Sequence, residues 1–283
     1  MIDLHMHSIF SDGSKTPEEL VEEAVALGLR GIALTDHDSV AGIPRFLAAA
    51  EAAGIRAISG VEVSAEIEKG ALHVLGYGVD HLDATFNEHL HWIRSGREER
   101  NDEILQKLNK LGMPISKEEV SAFAGADVVG RPHFAQALIT RGFVHDKREA
   151  FDRYLAKGKP AYAERRRMDI PSTMALIRRA GGLPVVAHPF TLRRTPRELK
   201  KLLARYKEYG LAGLEVHYSE HSPEKRRIYA AMASELGLLA TGGSDYHGAM
   251  SPGISMGKGP GNLNVPDSVW DELQRALEQS RKS

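Results

Sequence analysis

The sequence contains no cysteine. That excludes disulfides and thiolate metal sites, and it fits a reducing compartment. It has almost no net charge, since 37 Lys and Arg face 38 Asp and Glu. A balance of that kind argues against a broad nucleic-acid-coating surface, while leaving room for a local anion pocket. No run of about 18 apolar residues occurs, so no membrane span is expected. No basic segment followed by an apolar stretch opens the chain, so no secretory signal is expected and the cytoplasm is the expected location. There is no internal repeat and no low-complexity tract, and nothing points to an obligate protein partner. The chain is generously supplied with histidine, 13 in 283 residues. Its length suits one large α/β domain, or one barrel with an insertion.

Two of the histidines lie in the stretch that organises the chain, Ile2 to Asp12. Ile2 to His5 reads as a short buried strand, and His5 and His7 stand two apart with Asp12 five residues on. Alternate strand residues point the same way. Two same-side imidazoles and a carboxylate make a nitrogen and oxygen ligand set for a metal. A pair of structural histidines is the other reading of this motif taken alone.

The same pattern recurs downstream. Thr16-Pro17-Glu18-Glu19 starts a helix with a capping box. Gly31 to Asp38 reads as a buried strand ending in Thr35-Asp36-His37-Asp38. After a second helix, Ile55 to Val63 is a strand carrying Glu62, a carboxylate in an apolar run that calls for a cationic partner. Ala71 to Tyr77 is a strand with His73 inside it, and taken alone His73 reads as a core histidine. Leu183 to Pro189 is a strand ending in His188. Leu238 to Thr241 runs into Gly243-Ser244-Asp245-Tyr246-His247, and Gly248 to Val265 is a glycine-rich loop with the look of a flap.

Between these parts the β/α alternation stops. Residues 83–170 read as a helical insertion, a lid between two barrel segments, 1–82 and 171–283. Within it Gly130-Arg131-Pro132-His133 opens a helix. Arg131 and His133 are candidates for binding phosphate at a helix N-terminus, with an ordinary solvated first turn as the alternative. Arg165-Arg166-Arg167 is a solvated face first and a substrate-facing patch second.

If the strands are parallel and curl into a barrel, their C-terminal ends gather His5, His7, Asp12, His37, Glu62, His73, His188, Asp245 and His247 in one mouth. Nine such ligands suffice for two or three divalent ions. On these motifs the chain resembles the PHP (polymerase and histidinol phosphatase) family of metal-dependent phosphoesterases. The matching elements are His5-x-His7 with Asp12, Thr35-Asp36-His37, Gly60-Val61-Glu62, His73, Ala187-His188-Pro189 and Gly243-Ser244-Asp245-x-His247.

The resemblance implies an α/β fold, a distorted (β/α)7 barrel with three metal ions. One ion would be held by His5, His7, Glu62 and Asp245, another by Asp12, His37 and His247. A third would take the bridging Glu62 with His73 and His188. Manganese is the expected metal, with iron and zinc alternatives that donor chemistry does not separate.

Within the family the chain is most similar to the branch of 3′,5′-nucleoside bisphosphate phosphatases and 5′-to-3′ exoribonucleases. The helical insertion, Gly130-Arg131-Pro132-His133 and Tyr218-Ser219-Glu220-His221-Ser222 carry that likeness. Clustered divalent metals suit phosphate ester hydrolysis. The expected substrate is a small nucleotide, with short single-stranded RNA as an extension. Arg131 and His133 would clamp a second phosphate, and Arg193 and His221 are weaker candidates for which solvent exposure is the first reading. Asp245 and His221 are the residues assigned to the chemistry itself, His221 as an acid for the leaving oxygen. A histidinol-phosphate or other small-molecule phosphatase, and a non-catalytic structural module, are the rival readings.

Overall fold

The computed structural model describes residues 1–124 and 129–282. They form two compact units, Met1–His91 with Met168–Ser283, and Trp92–Arg167. The first unit carries a curled sheet of β1 (Gly31–Leu34), β2 (Arg56–Ala65), β3 (Leu72–Tyr77), β4 (Leu183–Val186), β5 (Gly213–Tyr218) and β6 (Leu239–Gly243), hydrogen-bonded in that order. Helices α1 (Pro17–Ala26) and α2 (Ile43–Ala53) flank β1, and α3 (Ala84–Lys110) leads from the first unit into the second. The second unit continues with α4 (Lys117–Ala124), α5 (Arg131–Thr140) and α6 (Lys147–Ala150), which runs on into a π-helical turn, Phe151–Leu155. Back in the first unit come α7 (Ile170–Arg179), α8 (Pro196–Glu208), α9 (Pro223–Leu236) and α10 (Asp267–Ser280). No described helix is long and apolar enough to cross a membrane.

The helix starts follow the sequence. Thr16 with Glu19, and Thr195 with Glu198, close reciprocal capping boxes, each followed by proline in the first turn. Gly54 and Gly237 end α2 and α9 in the left-handed conformation.

The curl is the distorted barrel expected, with two departures. The segment Ile2–His7 is not a regular strand. It closes the barrel by bonding alternately to both edges: Asp3 N to Gly31 O and Thr35 N to Met6 O on the β1 side, Leu4 N to Gly242 O and Asp245 N to His5 O on the β6 side. The strands are also not all parallel, since β3 runs antiparallel to both β2 and β4. Only residues 66–71 join β2 to β3, too few for a crossover helix, so the two pair as a hairpin. Reversal puts the start of β3 beside the end of β2, with His73 opposite Ser64. A residue near the beginning of its strand therefore reaches the rim where the parallel strands end.

Ile2, Leu4, Tyr77, Val185, Trp270 and Leu273 belong to the buried core of the first unit, where α10 packs. The second unit has its own core, which includes Leu108, Phe134 and Leu138.

The loop 248–265 is pinned to the barrel. Val265 pairs with Ile2, and Gly257 N donates to Asp3 Oδ2 at 2.7 Å. Asp3 is fully buried and also accepts from His5 N, Ser244 N and Ser244 Oγ. Asp3→Ala leaves several buried donors unpaired, each costing about 1–3 kcal/mol. The expected result is a melting temperature lower by roughly 10 °C, read by thermal unfolding followed by circular dichroism.

Candidate metal centre

The rim of the first unit gathers all nine expected donors, six imidazoles around three carboxylates. Glu62, at the end of β2, is 1% exposed. Its Oε2 lies 3.3 Å from His5 Nε2, 3.3 Å from His7 Nε2 and 3.1 Å from His37 Nδ1. Its Oε1 lies 2.8 Å from His73 Nδ1 and 2.9 Å from His188 Nε2. Asp12 Oδ1 is 3.2 Å from His247 Nε2 and 3.3 Å from His7 Nδ1, and its Oδ2 is 3.4 Å from His37 Nε2. Asp245 Oδ1 is 3.1 Å from His7 Nε2 and 3.2 Å from His5 Nε2.

Three groups of side chains bring ligand atoms within 4.8 Å of one another: His5, His7, Glu62, Asp245; His7, Asp12, His37, His247; and His37, Glu62, His73. The first is the expected set unchanged, the second adds His7, and the third brings His37 beside His73. His188 meets the same Glu62 oxygen as His73. Among the described buried side chains, His7 Nε2 and His37 Nδ1 lack a hydrogen-bond partner. They point at carboxylates without bonding to them, as donors aimed at a common ion do. The residues therefore fit divalent metal.

Charge shapes these groups strongly. Burial would lower the His5 pKa, but Asp245, Glu215 and Glu62 outweigh it and hold the imidazole well above its ordinary value. His7 is raised to about 10 against the same burial, by Asp12, Asp245 and Glu62. Burial takes His37 down to about 4, with His7 and His73 adding to it. Glu62, Asp245 and Asp12 are held below the usual carboxylate range because their histidine neighbours overcome desolvation.

Backbone geometry is unusual here. His188, Asp245 and Asp38 have φ of 25°, 58° and 49°, left-handed values that cluster at functional sites. Two glycines permit the close approach. A Cβ on Gly243 would fall 2.4 Å from His5 N, and one on Gly13 would fall 2.1 Å from His7 O.

Several supporting residues are new to the structure. Glu215 on β5, fully buried, accepts from His5 Nδ1 at 2.9 Å and from His188 N at 2.7 Å. The bond fixes the His5 tautomer and leaves Nε2 free to ligate. Glu215 carries the same signal as Glu62, a lone carboxylate in an apolar strand. Asp36 accepts from Ser8 N, Ser8 Oγ and Ser11 Oγ and so holds the loop bearing Asp12. Asp38 accepts from Ser64 N.

The other candidates are placed differently. Arg193 is exposed and closes the short turn after His188. His221 is not exposed but 1% accessible, boxed by Phe190, Tyr218 and Tyr229. Its Nδ1 donates to Val216 O, and burial lowers its pKa to about 4.

Arg131 and His133 lie in the second unit. Arg131 stacks over Tyr162 and donates to Leu155 O, while His133 Nδ1 accepts from Gly130 N in the first turn of α5. Arg97 and Arg100 on α3 are 9% and 7% exposed. Burial, then Arg131, Arg97 and Arg167, lower the Arg100 pKa to about 10. Four guanidinium groups thus share one region. Of the basic run, Arg166 turns to Glu99 and Trp92. Arg97 and Arg100 were hidden in a long helix of mixed charge.

A histidine and carboxylate donor set on the rim of a curled α/β barrel defines a hydrolase of the metal-dependent barrel class. A PHP domain family model matches residues 3–161, more than half of the chain. The sequence is 37% identical to a 5'-3' exoribonuclease of Haemophilus influenzae, over 96% of this chain and 98% of that protein. It is 33% identical to a 3',5'-nucleoside bisphosphate phosphatase of Chromobacterium violaceum, over 98% and 97%. A solved structure from Bifidobacterium adolescentis, described as a metal-dependent phosphoesterase, superposes with a TM-score of 0.76 at 31% identity, covering 97% and 95%. The chain belongs to the PHP family, and it is a metal-dependent phosphoesterase.

The raised groups bear on metal uptake. Without metal, His7 keeps its proton until the pH approaches about 10. The stability this contributes is complete below the ordinary value of 6.5 and fades as pH rises through about 10. A divalent ion must displace that proton. Manganese binding is therefore expected to release protons and to tighten as pH rises. The check is calorimetry in buffers of different ionisation enthalpy.

Proposed function

We propose that this phosphoesterase removes the 3′-phosphate of nucleoside 3′,5′-bisphosphates, leaving the 5′-mononucleotide, and trims short RNA from its 5′ end. The observation that carries the reading is the convergence of six histidines on Glu62, Asp12 and Asp245, nine nitrogen and oxygen donors in all. The names of the two relatives supply the substrate class, RNA for the one and a nucleoside 3',5'-bisphosphate for the other.

We assign three divalent ions, manganese first, to His5, His7, Glu62 and Asp245; to Asp12, His37 and His247; and to Glu62, His73 and His188. When bound, they lower the pKa of water and neutralise phosphate oxygens. Glu62 serves two of these groups through its two oxygens. Glu215 keeps His5 Nε2 facing the centre. Asp245, 20% exposed where Glu62 and Asp12 are nearly closed off, orients the attacking water. His221, neutral near pH 7, is not assigned the proton for the leaving oxygen.

Arg131 and His133, with Arg97 and Arg100 beside them, hold the phosphate that does not react, by charge-assisted bonds a planar guanidinium makes well.

The test is phosphate release under manganese from adenosine 3′,5′-bisphosphate, AMP, histidinol phosphate and a 5′-phosphorylated short RNA. Preference for the bisphosphate with AMP accumulating supports the reading, and stepwise release of mononucleotides extends it to RNA. Preference for histidinol phosphate overturns it. Turnover of nothing by metal-loaded protein points instead to a structural role. Arg131→Ala is expected to raise KM about 10-fold or more with metal content unchanged, and unchanged kinetics would remove the clamp. Glu62→Gln is expected to cost more than about 100-fold in turnover and to lower bound metal, read by elemental analysis.

A further inference from the structure

The segment Tyr218-Ser219-Glu220-His221 starts at the last residue of β5, and no task in the chemistry has yet been given to it. Its geometry supplies one. Tyr218 Oη donates to Asp245 Oδ2 at 2.9 Å. The other oxygen of Asp245, Oδ1, faces His5 and His7. Next in sequence, Ser219 Oγ donates to Ser244 O at 2.6 Å. Two adjacent residues at the end of β5 and just past it thus grip two adjacent residues after β6. What they grip is held in the left-handed conformation, with φ of 58° at Asp245.

The pleat alone would not allow this. Glu215 and Tyr218 are three apart, so a regular strand would send them to opposite faces. Yet Glu215 reaches His5 and His188, and Tyr218 reaches Asp245 beside the same His5. The pairing of β5 with β6 slips between Glu215 and His217. That bulge inserts the one residue needed to bring both side chains inward. His221 secures it, since its Nδ1 donates at 2.9 Å to the carbonyl of Val216, the residue inside the slip. The His221 ring also backs Tyr218 at 5.1 Å and rests on Tyr229 at 4.8 Å.

We propose that Tyr218 is a positioning residue, aimed by the β5 bulge and its His221 cap, that holds the outer oxygen of Asp245 so that the inner oxygen alone ligates metal. The proposal rests on the reading of Asp245 as a ligand. It gives His221 a structural place in the site and accounts for its burial among aromatic rings. Residues that orient metal ligands typically change metal affinity or activity about 10–100-fold when lost.

The test is manganese titration of the metal-free full-length protein by calorimetry, for wild type, Tyr218→Phe, Asp245→Asn and the double variant, with kcat and KM of each. Tyr218→Phe is expected to weaken at least one manganese site about 10-fold or more and to lower kcat with little change in KM. In the Asp245→Asn background the same substitution is expected to do nothing further, because the carboxylate it acts on is gone. Wild-type affinity and kcat in Tyr218→Phe overturn the clamp. So does an equal loss in both backgrounds, which is the signature of a general packing defect and covers a variant that folds poorly. If Asp245→Asn binds manganese as wild type does, the reading of Asp245 as a ligand fails. If only Tyr218→Phe is silent, that reading stands and the clamp alone is lost.

Discussion

A single buried carboxylate, Glu62, sits among five imidazoles, from His5, His7, His37, His73 and His188. A charge so deeply removed from water is expensive unless every oxygen is matched. The fold answers by surrounding it with donors from strand ends and loops far apart in sequence. Those donors in turn need orientation, which Glu215, Asp36 and Tyr218 supply through bonds of 2.6–2.9 Å. The barrel rim is thus a nested polar network, and one member out of place unbalances the next.

The backbone bends to serve that network. Left-handed φ values at Asp38, His188 and Asp245, and glycines at 13 and 243 where a Cβ has no room, all fall where the chain turns past the centre. The hairpin of β2 and β3 and the slip in β5 do similar work. One brings His73 to a rim it would otherwise miss, and the other turns Tyr218 and Glu215 the same way. Irregularities in an otherwise repeating α/β pattern are concentrated at the chemistry.

The second unit presents a different kind of surface. Arg97, Arg100 and Arg131 gather where burial and mutual repulsion weaken the hold of Arg100 on its proton. This concentration of positive charge sits in a chain whose overall charge is near zero. Local concentration of charge, and not the net balance, sets the potential that any ligand meets there.

Much of this was legible from residue order. Hydrophobic runs that end in histidine or aspartate named the strand ends, and Thr-Pro-x-Glu named two helix starts, because caps and strand periods are local physics. Most of the nine candidate donors stood at those strand ends, and the family resemblance drew in the rest, His73 among them. The sequence alone pointed to the barrel class and the family, and it named the residues that the rim brings together. Partnership was beyond it. That His7 faces both Asp12 and Glu62, that Glu215 orients His5, and that His221 caps a bulge depend on register, strand direction and a one-residue slip. These are set when distant segments pack, so only the tertiary structure decided which of thirteen histidines share a carboxylate.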